Sequence, residues 1–89
     1  MSNVLPFPEK VGQTTVSDGR GTSWDVSTID LGDYLETIAF ERGHGRRQVY
    51  VASFEGHERA VEAFTTAIRR DPYIEHFSTV DIGGNVVHY

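Results

Sequence analysis

The chain has 89 residues, a net charge of −5 and no cysteine. It is therefore one small domain, with no disulfide framework, thiolate metal site or cysteine nucleophile. Thirteen acids against eight bases and a pI near 5.2 argue against direct nucleic-acid binding, because gripping a phosphate backbone needs a concentrated cationic surface.

The N-terminus, Met1-Ser2-Asn3-Val4-Leu5-Pro6-Phe7-Pro8, lacks the basic and apolar regions of a secretion signal. Its two prolines bar helix, so residues 1–10 are expected to be a disordered extended tail before a single domain at 11–89. The longest apolar run, Val49 to Ala52, falls far short of the roughly 20 residues of a membrane helix. The expectations are a cytoplasmic location and no membrane contact.

Residues 13–17 and 22–28 predict two strands around the turn dipeptide Asp18-Gly19, with Trp24 and Val26 on one face. The stretch 34–42 fits two templates. Leu31, Tyr34, Leu35 and Ile38 fall at helical spacing, whereas Tyr34, Ile38 and Phe40 line one face of a strand. The run Thr37-Ile38-Ala39-Phe40 favours the strand, which Gly43-His44-Gly45 turns onto a return strand, Gln48-Val49-Tyr50-Val51-Ala52.

A helix is predicted over about residues 53–70. Ser53 is its expected cap, Glu55 and Glu58 lie near the positive end of its dipole, and Arg69 and Arg70 lie near the negative end. Phe54, His57, Val61, Phe64 and Ile68 recur at spacings of three and four, widened by Ala60 and Ala67. Asp71-Pro72 ends the helix; a strand over 73–82, a Gly83-Gly84 turn and a short strand to Tyr89 follow. The fold class is α+β: a mainly antiparallel sheet with one major helix on one face, in the order ββββαββ. The alternative is ββαβαββ, with a second short helix at 31–41. The expected core is Trp24, Val26, Ile38, Phe40, Val49, Val51, Val61, Phe64, Ile68 and Val80.

The motifs yield no catalytic residue, metal set or cofactor. Gly19-Arg20-Gly21 and Gly43-His44-Gly45 lack the third glycine of a dinucleotide fingerprint and lie between strands. His57 has no His or Asp four residues on, and reads as a partly buried packing residue. With the Gly83-Gly84 turn, His88 is expected opposite Thr79, which leaves His76 without a partner. None of the six serines sits in a G-x-S-x-G elbow.

Charge patterning carries more. Asp18, Asp25, Asp30, Asp33, Glu36 and Glu41 face one base, Arg20, between Val11 and Glu41. The next six residues, Arg42-Gly43-His44-Gly45-Arg46-Arg47, hold three arginines and no acid. Two contact surfaces are expected: a cationic tip at Arg42, His44, Arg46 and Arg47, and an acidic surface at Asp25, Asp30, Asp33 and Glu36, both along one edge of the sheet.

Glu36-Thr37-Ile38-Ala39-Phe40, followed by Tyr50, Ser53 and Gly56-His57-Glu58-Arg59-Ala60-Val61, resembles small accessory proteins encoded by phages and mobile elements. These share an E-T-φ-φ-F strand, a hairpin and a helix carrying G-H. The resemblance spans Glu36 to Val61 and implies an accessory protein that binds a host protein or complex, as anti-CRISPR and other anti-defence inhibitors do. It carries over no catalytic residue. The expected function is a non-enzymatic protein-binding module that blocks a larger host complex through charged contacts, with a homodimer left open. A small ligand-sensing domain and a small enzyme are the alternatives.

Overall fold

The computed structural model describes residues 9–43, 47–52 and 55–89, in the order β1 (Glu9–Ser17), β2 (Ser23–Asp30), β3 (Leu35–Glu41), β4 (Gln48–Val51), α1 (His57–Arg70), β5 (Thr79–Val80) and β6 (Val86–Val87). The strands form one sheet in chain order. All neighbours are antiparallel except β4 and β5, whose parallel pairing needs the crossover that α1 supplies. This is the expected α+β order ββββαββ, and 35–41 is strand.

Local chemistry sets the turns. Asp18 Oδ1 accepts the N–H groups of Arg20 at 2.7 Å and Thr22 at 3.1 Å, closing the first hairpin. Burial raises the Asp18 pKa, but these backbone donors outweigh it and leave the carboxyl below its ordinary value. In α1, Ala60, Ala63, Phe64, Ala67 and Ile68 are buried, the spacing of a stripe that faces a sheet. Three alanines in that stripe let the helix sit close to the strands, while Phe64 meets Trp24 edge-on at 5.1 Å between ring centroids. Val26, Val49, Val51, Ile74 and Val80 complete the core.

Several boundaries differ from expectation. Glu9 and Lys10 already belong to β1; residues 1–8 of the expected tail lie outside the described residues. The helix begins at His57, because Gly56 at the cap takes φ 113°, a conformation outside the helical path, and among the described residues no side chain caps the end. The expected cap Ser53, and Phe54, lie outside the described residues. The strand expected over 73–82 shrinks to Thr79–Val80, since a hydrogen bond from Ser78 N–H to the Glu75 carbonyl closes a turn in that stretch. Val87, not His88, pairs with Thr79.

The core correction in β3 is more consequential. Thr37 and Ala39 face the helix, and Phe40 and Ile38 point away from it. With a side-chain period of two, one residue of parity exchanges the whole set of a strand. Trp24 and Phe64 already fill the space above β3, so small residues fit beneath them. Val61 is only partly buried, at the margin of the core.

A polar ladder fixes the same inward parity of β2 and β3. Thr28 and Thr37 share a hydroxyl hydrogen bond of 2.7 Å, both fully or almost fully buried. Thr28 Oγ1 lies 2.7 Å from His57 Nδ1 and Thr14 Oγ1 lies 2.8 Å from His57 Nε2. Both ring nitrogens are satisfied, so the first residue of α1 is keyed to β1 and β2. Gly12 makes room: any Cβ there would collide with the imidazole. Gly12→Ala should therefore destabilise the fold by about 1–3 kcal/mol in thermal melts. His57→Ala added to that variant should recover part of the loss, and strict additivity of the two changes would refute the contact.

Candidate functional site

The structure divides the expected acidic set: Asp25 pairs with Arg42 of the cationic set, whereas Asp30 and Asp33 lie apart from the arginines. The β2–β3 turn holds Asp30 and Asp33, whereas Arg42 and Arg47 flank the opposite end of β3. Seven residues of strand put these ends roughly 20 Å apart, so Asp30 and Asp33 do not share a surface with Arg42 and Arg47, and only Asp25 does. His44 and Arg46 lie outside the described residues.

Arg47 belongs to the architecture. Its Nη1 donates to the carbonyls of Pro72 and Ile74, each at 2.8 Å, and its Nη2 donates to Glu41 Oε2 at 2.6 Å. The guanidinium lies 4.9 Å from the centre of the Trp24 ring, a cation–π contact. Both charged partners are largely buried. One side chain thus ties β3 to the segment that leaves α1. Arg42 instead stays exposed and donates from Nε to Asp25 Oδ2 at 2.8 Å. That hydrogen bond is the main reason the Asp25 pKa falls, with burial opposing it, and it raises the Arg42 pKa.

At the other end, Asp30 Oδ1 accepts the Gly32 N–H at 2.8 Å. Asp30, Asp33 and Tyr34 border an open hollow of about 310 Å³ with Gly32 and Leu35. Glu36 lies beside it on the helix-free face.

That face is the main feature the sequence reading missed. Strand parity places Ile29, Ile38, Phe40, Tyr50 and Val87 on it, all opposite α1. Phe40, Tyr50 and Val87 are 42%, 46% and 45% exposed. A groove of about 220 Å³ runs between Ile29, Ile38 and Phe40, with Ser27 and Lys10 also lining it. The useful signal was the volume of Trp24 and Phe64, which left only small residues room on the inner side of β3.

A second missed constellation joins Ser78, His88 and Asp71. Ser78 Oγ lies 3.0 Å from His88 Nδ1, and His88 Nε2 lies 3.0 Å from Asp71 Oδ2. The His88 hydrogen bond lowers the Asp71 pKa most, burial opposes it and the Tyr73 N–H adds to the lowering. The order resembles a hydrolase relay, yet Ser78 is 1% exposed and its Oγ accepts the Glu75 N–H at 3.0 Å. A nucleophile needs an approach for its substrate; this hydroxyl holds a turn. Among the described residues no three His, Asp or Glu side chains converge as a metal set.

Comparison with protein-family models, curated proteins and solved structures gives no match. Arg47→Ala should cost roughly 2–4 kcal/mol, because it removes the guanidinium that donates to Glu41 Oε2 and to the Pro72 and Ile74 carbonyls. Arg42→Ala should leave chemical denaturation nearly unchanged. Equal stability losses in the two variants would contradict the distinction drawn between them.

Proposed function

We propose that the chain is a small non-enzymatic protein-binding module that meets its partner through the helix-free face of the sheet. The observation that supports this is the cluster Ile29, Ile38, Phe40, Tyr50 and Val87, five large apolar side chains on the side opposite α1. Exposed apolar patches rimmed by polar residues mark interaction surfaces. Thr15, Asp25, Arg42 and Gln48 border the cluster on one side, and Lys10 and Glu36 on the other.

The rim also defines the partner. Among the described residues Asp33 and Glu36 have no ion-pair partner, Asp30 is engaged only by its own turn, and the chain carries a net −5. A surface with an apolar centre and cations opposite the β2–β3 turn complements this arrangement. In its most concrete form, the module is an inhibitor or accessory protein of phage or mobile-element origin that blocks a larger host complex. This differs from the sequence expectation in one respect: apolar contact supplies affinity, and charge supplies orientation and encounter rate.

Tyr50→Asp tests the proposal without touching the core, since Tyr50 points outward from β4. The variant should keep its circular dichroism and melting temperature but lose the partner that immobilised wild-type chain retains from a host-cell lysate. Full retention of that partner by Tyr50→Asp would overturn the reading.

A further inference from the structure

The Ser78–His88–Asp71 relay stabilises a turn that buries almost nothing at its tip. Ser78 N–H donates to the Glu75 carbonyl at 3.0 Å, and Ser78 Oγ accepts the Glu75 N–H at 3.0 Å. Arg47 anchors the preceding segment through Pro72 and Ile74, and Ile74 is fully buried. On this braced frame Phe77 stands 70% exposed, with the His76 ring edge-on at 6.4 Å and the Glu75 side chain exposed beside it. A rigid turn holding an aromatic ring in water is preorganised for docking, because the entropy of ordering it is already met in the free protein.

The same molecule carries a receptor of matching chemistry. The 220 Å³ groove is walled by Ile29, Ile38 and Phe40, and Lys10 stands at its rim. Its size lies between the cavity of about 150 Å³ that takes benzene and the lower bound of about 300 Å³ for a drug-sized ligand. It suits one aromatic side chain. Lys10 Nζ spends one of its donors on Gln13 Oε1 at 2.8 Å, which leaves others for a carboxylate. Phe77 offers the ring and Glu75 the carboxylate.

We infer that the partner of this half of the face is a second copy of the chain, which inserts Phe77 into the groove and sets Glu75 against Lys10. The inference rests on the reading of the helix-free face as a contact surface. A single insertion of knob into groove is a head-to-tail contact that builds rings or filaments, whereas a two-fold axis that makes both insertions at once gives a closed, isologous dimer. The Tyr50–Val87 half and the acidic turn stay available to the other protein.

Sedimentation velocity of the purified full chain over a concentration series tests this. Wild-type chain should show concentration-dependent self-association at or below about 1 mM. Phe77→Ala should raise the dissociation constant roughly tenfold or more. Lys10→Glu and Glu75→Lys should each weaken association roughly fivefold, and combining them should restore it, since the pair is then reversed but intact. All these residues are exposed on the surface or at the groove rim, so unchanged melting curves should accompany every variant. A chain that stays monomeric throughout, association indifferent to Phe77→Ala, or a double reversal no better than either single one would overturn the inference. A monomer that still captures its partner through Tyr50 would remove the self-association alone and leave the function proposal standing.

Discussion

A fourteen-residue helix laid on a six-stranded sheet covers one face, and sheet parity sends every second side chain to the other. The inner face is filled by Trp24, Val26, Val49, Val51 and Val80 against the alanine-rich stripe of α1, with Phe64 and Ile68. The outer face inherits Ile29, Ile38, Phe40, Tyr50 and Val87. Burying those side chains would be favourable by about 25 cal/mol per Å² of apolar surface removed from water, and the described part of the chain supplies no second layer to do it. That unspent burial is the physical basis for treating the face as a contact surface.

The polar groups divide along the same line. Arg47, the His57 hydroxyl ladder and the Ser78–His88–Asp71 relay all join segments distant in sequence: β3 to the post-helix segment, α1 to β1 and β2, the C-terminal strand to the end of α1. In a fold with so small a core, such multidentate side chains fix relative positions that apolar packing alone leaves loose. Exposed acids at the β2–β3 turn make no comparable joins, so their charges remain available to steer an approaching partner.

The fold order was legible because its signals were local. Asp18-Gly19 marks a hairpin, alternation in 48–52 places Val49 and Val51 inward, and the three-and-four spacing with Asp71-Pro72 gives the helix and its end. Parity in β3 was not legible, since both Thr37-Ala39 and Ile38-Phe40 make an acceptable strand face. The choice depends on Trp24, Phe64 and Thr28 across the core, which is tertiary information. The same holds for the charged site. Arg42, Arg46 and Arg47 look equivalent in sequence, yet Arg42 pairs at the surface and Arg47 sits over the Trp24 ring. The relay escaped notice because its three residues are linked by topology and not by spacing.

The central claim is that α1 covers one face and leaves the other uncovered within the monomer. Methyl-resolved nuclear magnetic resonance with a soluble paramagnetic agent, at a concentration where the chain is monomeric, tests it most directly. Strong attenuation of the Ile38 methyl signals, with Ile68 and Ile74 protected, is the result the account predicts. Protection of Ile38 equal to that of Ile68 would show that the outer face is covered by the chain itself, and would contradict it.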